Sequence, residues 1–185
     1  GDFRNSKTEN FHPSLDLMKP IIESIAAPKF GVLGNHDYVE MVPHLEGLGL
    51  SMLLNEYQDV RFRDSQIRIG GVDDPHFYQT HDIRAAAGAE PFPGFRILMA
   101  HSPEVFEEAS HTFDFMLSGH THGGQICLPG GIAMIRNGRC PSKMIKGAWR
   151  HGDMIGYTSA GTGSCGVPAR FFCPPEITLH TLKAG

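Results

Sequence analysis

The sequence predicts a mixed α/β fold in a single domain spanning residues 1–185, and three observations support this. Short apolar segments, typical of buried strands, recur along the chain. Segments with helical spacing of apolar residues lie between them, as in proteins where strands and helices alternate. Several apolar segments run directly into clusters of glycine and polar residues, and strand ends in layered α/β proteins are where loops converge to build sites.

The helix predictions depend on the spacing of apolar residues and on proline. The first predicted helix has an apolar stripe that includes Leu15, Met18 and Ile22, although Pro20 lies within it. Pro103 opens the last, because the first helical turn needs no backbone donor there. The predicted helices cover residues 14–27, 39–48, 81–88 and 103–109.

The strand predictions depend on apolar runs and on alternation. In the second predicted strand, Ile67 and Ile69 alternate with polar residues before the Gly70–Gly71 break. The segment 129–150 is rich in glycine and polar residues and predicts a long irregular excursion. The predicted strands cover residues 30–33, 61–72, 95–100, 113–117, 154–159 and 177–182.

Composition excludes some functions and leaves the compartment open. The formal net charge is −4, and lysine and arginine form no run or stripe, so we expect no nucleic-acid patch. The apolar runs are too short to span a bilayer, which predicts no transmembrane segment and a soluble domain. No signal peptide is visible, but the chain starts with Gly1 and an upstream segment would escape notice. Both a cytoplasmic location and, with an upstream anchor, a membrane-peripheral one fit the sequence.

The cysteines and histidines differ in what they indicate. The four cysteines, Cys127, Cys140, Cys165 and Cys173, include no C-x-x-C pair, which argues against a thiolate zinc site. We expect free thiols, with a disulfide as the alternative. The eleven histidines are more informative, since histidine is the commonest metal ligand.

Three polar clusters each follow a predicted strand: G-N-H-D at 34–37, A-H-S-P at 100–103 and G-H-T-H at 119–122. They place histidines, an asparagine and an aspartate at one edge of a sheet. Imidazole nitrogen with amide and carboxylate oxygen suits zinc, manganese or iron. In an extended H-x-H both rings can face one pocket, and the nearby glycines allow a tight turn.

These motifs, in this order, resemble those of the calcineurin-like metallophosphoesterases, and the opening G-D at 1–2 is similar to the preceding motif of that family. The later part, with G-H-T-H-G-G-Q followed by R-F-F-C-P-P-E-I, resembles a bacterial branch of small phosphodiesterases that includes cell-envelope and lipid-precursor hydrolases. The resemblance implies a four-layer α/β/β/α sandwich.

The resemblance also implies two metal ions, of manganese, iron, zinc or nickel, and a role for each motif residue. Asp2 would bridge the ions, Asn35, His101 and His120 would hold one, and His122 would help to hold the other. His36 would lie near the leaving-group oxygen as acid or charge stabiliser, with Asp37 orienting its ring. Two such ions clamp a phosphoryl group and convert a shared water to hydroxide, which attacks phosphorus in line with the leaving oxygen. The expected substrate is a small phosphomonoester, phosphodiester or pyrophosphate; lipid-linked and nucleotide diphosphates both fit.

The chain departs from the family at one motif, an upstream D-x-H that supplies two ligands to the second ion. The simplest expectation is that the sequence lacks the first strand that carries it. The one internal match to this motif, Asp74-Pro75-His76, is in the wrong chain order. It can instead be interpreted as a turn in which the aspartate accepts backbone N–H bonds, or as part of the lining of the substrate pocket. The alternative function is therefore a metal-binding regulatory or inactive fragment without turnover.

The remaining candidates carry weaker predictions. Arginine and lysine in the long loop could contact phosphate, but solvated charges are the favoured interpretation. Trp149 and the Phe171–Phe172 pair could floor a hydrophobic groove, but core packing is favoured. Histidines outside the clusters are expected at the surface. The loop cations are Arg136, Arg139 and Lys143, and the surface histidines are His44, His111 and His151.

Overall fold

A six-stranded mixed sheet forms the centre of the computed structural model, which describes residues 1–4, 10–62 and 64–183. Its strand order is β3-β4-β5-β6-β10-β9, and two further two-stranded sheets pair β1 with β2 and β7 with β8. The strands are β1 Phe30–Gly31, β2 Ser51–Met52, β3 Glu56–Phe62, β4 Ser65–Gly71, β5 Phe95–Met99, β6 Phe115–Ser118, β7 Cys127–Leu128, β8 Ile132–Ala133, β9 Gly147–His151 and β10 Met154–Thr158.

Short helices and single 3₁₀ turns connect the strands. The longest helix has 12 residues and continues through Pro20. The α-helices are α1 His12–Glu23, α2 Val42–Gly47, α3 Ile83–Ala87 and α4 Phe106–Ala109, and the 3₁₀ turns are Val39–Met41, Pro103–Val105, His122–Gly124 and Ser142–Met144. Within the described ranges, no helix is long and apolar enough to cross a membrane.

The four central strands of the sheet, β4, β5, β6 and β10, run parallel, and β3 and β9 close the two edges antiparallel. The register aligns Ile69 with Ile97 and Ile97 with Phe115. Because neighbouring parallel strands end at one edge, the segments that follow β5, β6 and β10 leave the sheet side by side. The motifs A-H-S-P and G-H-T-H lie at this edge, whereas G-N-H-D follows β1 of the neighbouring two-stranded sheet, so the prediction of one sheet edge for all three is wrong.

The core is divided between the six-stranded sheet and the β1–β2 sheet. One cluster packs the central strands against α3, α4 and Trp149, which is 6% exposed. A second packs α1 and α2 against β1 and β2. The two meet closely at Gly71, where an added Cβ would lie 2.4 Å from the Cβ of Leu53. The mixed α/β class is confirmed, with two sheets in contact.

Several predicted elements need correction. The strand predicted at 61–72 is the second arm of a hairpin whose first arm is β3. The strand predicted at 177–182 does not form; its alternation instead leaves Ile177 and Leu179 each 92% exposed. The irregular excursion predicted at 129–150 contains β8 and most of β9.

The aromatic and cysteine predictions have mixed outcomes. Trp149 is a core residue as predicted, and its indole N–H donates to Thr158 Oγ1 at 2.9 Å. Core packing of the phenylalanine pair is wrong, since Phe171 is 58% and Phe172 50% exposed. All four cysteines are free thiols, two of them buried.

Candidate metal centre

Three side chains that are distant in sequence converge at the parallel-strand edge. One ligand atom each of Asp2, His101 and His120 lies within 4.8 Å of the others. His101 Nε2 is 3.2 Å from Asp2 Oδ2, 3.0 Å from His120 Nδ1 and 3.1 Å from Asn35 Oδ1. The sheet edge thus brings together four of the residues predicted as ligands.

This donor set fits a cation better than it fits a hydrogen-bond network. One imidazole nitrogen, His101 Nε2, lies within about hydrogen-bond distance of three atoms: an oxygen of Asp2, an oxygen of Asn35 and a nitrogen of His120. Because His101 Nε2 carries at most one proton, hydrogen bonds cannot account for all three contacts. On the other side of the His120 ring, Nε2 is buried and has no hydrogen-bond partner among the described residues. A cation at the centre would coordinate all four atoms at once, since imidazole, amide and carboxylate are its ordinary ligands.

The backbone at the candidate ligands is strained. Asp2, His120 and His122 have φ values of 56°, 68° and 51°, in the left-handed region that side chains other than glycine rarely adopt. Such conformations persist only where the surroundings over-determine them, and they concentrate at functional sites.

Glycine is required where the Asp2 loop meets the G-N-H-D loop. A Cβ at Gly34 would lie 2.3 Å from Asp2 Oδ1 and 2.8 Å from His101 Cε1. By contrast, the nearest atom to a Cβ at Gly119 would be 3.8 Å away, so that glycine is not needed to keep the centre clear. At this point of the site Gly34, and not Gly119, is the glycine that keeps the centre clear of side chains.

The charges of the cluster favour binding a cation. Burial alone would raise the pKa of Asp2, but the hydrogen bond and charge of His101 and the backbone N–H of His36 outweigh it and hold that pKa far below its ordinary value. Burial, then the neighbouring rings of His101 and His76, lower the pKa of His120 to about 3. At neutral pH the site thus presents a carboxylate and a neutral imidazole, which are the ligating forms.

His122 lies apart from the three-residue cluster but on the same cleft. The cleft has a volume of about 370 Å³, and Asp2, His101, His120 and His122 all contribute to its wall. Burial, and then the charge of Arg170, lower the pKa of His122. His122 therefore lines the cleft without belonging to the three-residue cluster.

Arg170 holds the loop that carries His122. Its guanidinium donates to the carbonyl oxygen of His122 at 3.1 Å, of Ala160 at 2.6 Å and of Gly163 at 2.9 Å, and it approaches His122 Nδ1 at 3.4 Å. Sequence reasoning assigned it no role, although it is the arginine of R-F-F-C-P-P-E-I.

The predicted catalytic pair is close to the cluster, but its internal contacts differ from those expected. The backbone N–H of His36 donates to Asp2 Oδ1 at 2.9 Å. The buried Asp37 carboxylate accepts backbone N–H bonds from Asp2 at 2.6 Å, Gly34 at 2.8 Å and Arg4 at 3.3 Å. Burial raises the pKa of Asp37. The carboxylate thus fixes the Asp2 backbone, whereas the predicted bond to the ring of His36 is not among the hydrogen bonds of the described residues.

The remaining sequence candidates are accounted for simply. The fully buried Asp74 accepts backbone N–H bonds from His76, Phe77 and Tyr78, so the turn interpretation of D-P-H is confirmed. The loop cations are exposed, as the solvated interpretation predicts. These are Arg136, Arg139 and Lys143.

Curated relatives carry one family description. The chain is 30% identical to the uncharacterized metallophosphoesterase YkoQ of Bacillus subtilis, over 98% of the chain and 70% of that protein. The chain belongs to the metallophosphoesterase family. This metallophosphoesterase chain is also 31% identical to YkuE of B. subtilis, over 89% of the chain and 60% of the relative, and 29% identical to the phosphodiesterase YaeI of Escherichia coli, over 94% and 64%. The chain thus spans 60–70% of the length of these relatives.

Two solved structures are similar at lower levels. The sulfate thiohydrolase SoxB of Thermus thermophilus matches with a TM-score of 0.45 and 16% identity, over 78% of the chain and 29% of SoxB. A 5'-nucleotidase-like protein of Staphylococcus aureus matches with a TM-score of 0.45 and 14% identity, over 82% and 35%. No protein-family model matches the chain.

Proposed function

We propose that this metallophosphoesterase hydrolyses a phosphoester bond of a small phosphorylated substrate with the help of two bound metal ions. The observation that carries the proposal is the convergence of Asp2, Asn35, His101 and His120 around one point of the sheet edge. The family membership of the chain supports the same reaction class. The phosphodiesterase description of YaeI favours a phosphodiester over the other bonds.

Each ligand has a place in this proposal. Asn35, His101 and His120 would hold the first ion, Asp2 would serve both ions, and His122 would help to hold the second. When bound, the ions supply Lewis-acid polarisation of the phosphoryl oxygens and lower the pKa of a coordinated water. Manganese, iron, zinc and nickel all accept this set of ligands.

The other residues of the chain position groups and move a proton. His36, partly exposed beside Asp2, protonates the leaving oxygen, which suits an imidazole whose ordinary pKa lies near neutrality. Asp37 keeps Asp2 in place through its backbone, and Arg170 does the same for His122. The substrate enters the cleft between Val32, Met99 and Leu117 on one side and the segment 159–163 on the other.

Adding Mn²⁺ to the purified protein and following the release of nitrophenol from bis(p-nitrophenyl) phosphate tests the proposal. His120→Ala should abolish both ion binding and metal-dependent turnover. His36→Ala should lower turnover at least about 100-fold while leaving the metal content unchanged, the loss typical of a missing general acid. His111→Ala, an exposed histidine outside the site, is the control.

The alternative function, ion binding without turnover, has one observation in its favour. Within the described residues, only one group of three ligating side chains forms, and His122 is not part of it. Wild-type protein that binds one Mn²⁺ per chain and does not hydrolyse the diester would support this alternative. Loss of metal from His36→Ala would contradict the role given to His36.

A further inference from the structure

A third histidine ring lies against the cluster. The ring of His76 packs on that of His120 with their centroids 4.1 Å apart and their planes tilted by 43°. His76 comes from the D-P-H turn between β4 and α3, far in sequence from the three motifs. Its position there is set by Asp74, which binds the backbone N–H groups of residues 76–78.

Glu104 fixes the orientation of the His76 ring. Its carboxylate Oε1 lies 2.8 Å from His76 Nδ1, and its side chain is 9% exposed. The same oxygen accepts the backbone N–H of Arg139 at 2.7 Å. Glu104 follows His101 by only three residues, so one carboxylate connects the D-P-H turn to the loop that carries a candidate ligand.

His120 needs such support because hydrogen bonding restrains its imidazole ring at only one of the two ring nitrogens. Nδ1 faces His101, but Nε2 is buried and has no partner within the described part of the chain. Its backbone φ of 68° is also strained. Metal-binding imidazoles are usually oriented by a hydrogen bond on the second nitrogen. Here the ring contacts two other rings, with His101 in an edge-on arrangement at 4.9 Å and His76 tilted against it at 4.1 Å.

We propose that His76, fixed by Glu104, is a positioning residue that holds the His120 imidazole in its ion-binding orientation. The inference rests on the proposed function, since it assigns His76 a task within the same metal site. The His76 ring, itself bound to Glu104, packs against His120 and restrains that ring in place of a hydrogen bond to His120 Nε2. Neither His76 nor Glu104 needs to touch the ion or the substrate.

The affinity for Mn²⁺, measured from the EPR signal of the free ion, tests this separately from turnover. His76→Ala should weaken binding about 10- to 100-fold, the range typical when an outer partner of a ligand is lost. His76→Phe keeps a ring against His120 but loses the contact with Glu104, so it should weaken binding less than His76→Ala does and about as much as Glu104→Ala does. Glu104→Ala should weaken binding, whereas Glu104→Gln, whose amide oxygen still accepts the His76 N–H, should not.

NMR of the metal-free protein gives a readout that does not depend on the ion. The Cε1–H resonance of His120 should be sharp in wild type and in His76→Phe, and shifted or broadened by exchange in His76→Ala. A folded His76→Ala protein with wild-type Mn²⁺ affinity and an unchanged His120 resonance would overturn the inference. Wild-type protein that fails to bind Mn²⁺ would instead refute the proposed function, and the His120 resonance would then decide the positioning role alone.

Discussion

Replacing Arg170 with alanine is expected to release the loop that carries His122. The guanidinium donates to the carbonyl oxygens of His122, Ala160 and Gly163, and so connects the His122 loop to the segment 159–163. Hydrogen bonds from a charged donor contribute about 1.5–3 kcal/mol each, and partial exposure of Arg170 reduces this to about 1 kcal/mol per bond. The free energy of unfolding should therefore fall by about 3 kcal/mol.

Urea unfolding of the metal-free protein measures this loss, and elemental analysis measures its effect on the site. Under the proposed function, bound Mn²⁺ should fall from two ions toward one per chain, because His122 would help to hold only the second ion. Arg170→Lys keeps the charge but offers a single point of donation, so it should recover only about a third of the stability. Arg150→Ala, at an exposed position of β9, is the control. Wild-type stability and metal content in Arg170→Ala would refute the role given to this arginine.

The remaining predictions concern space and protonation at the first ion position. Gly34→Ala should prevent ion binding, since the new Cβ would lie 2.3 Å from Asp2 Oδ1; isothermal titration with Mn²⁺ checks this, with Gly47→Ala, at an exposed position with open space around the new Cβ, as control, and unchanged affinity would count against the contact. Below pH 6.5 the free energy of unfolding of the metal-free protein should fall by up to about 1.4 kcal/mol per pH unit. The pKa of His120 is about 3 when folded and 6.5 when unfolded, so the unfolded chain binds the extra proton in this window. Urea titrations at pH 7, 6 and 5 measure the slope, which His120→Asn should reduce; an equal slope in both proteins would exclude His120 as its source.

The sequence was most informative where local chemistry and topology agree. Apolar runs such as 95–100 and 113–117 supply buried core residues, among them Leu98 and Met116, so they could be recognised without knowing their partners. Because A-H-S-P and G-H-T-H directly follow these strands, the position of His101 and His120 at one edge followed from the parallel order. Asn35 follows β1 of a different sheet, so its approach to the same point depends on how the two sheets pack. Whether each of them binds an ion stays a prediction.

Elements that depend on a distant partner were missed. The alternation at 177–182 is typical of a strand, but no neighbouring strand supplies hydrogen bonds there. The two residues between β3 and β4 are neither glycine nor proline, so they lack the turn signal that commonly marks a hairpin. In β9, Trp149 alone carries the apolar side of the strand, too little to reveal its period.

The positioning residues were missed for a related reason. Arg170 acts across 48 positions of the chain on His122, and Glu104 acts across 28 on His76. No pattern within a short stretch of sequence indicates such pairs, because an arginine or glutamate that is merely solvent-exposed can have the same neighbours along the chain. Only the fold shows that these charges hold candidate ligands in place.

The buried carboxylate of Asp37 makes two distant stretches of the chain a single unit. It binds the backbone of Asp2 and of Gly34, the residue before Asn35, so the oxygen ligands from both stretches share one anchor. Loss of the Asp37 carboxylate would displace both oxygens from the site together. The combined substitution of Asp37 and Asn35 should therefore lower the ion affinity by less than the sum of the two separate losses in binding free energy.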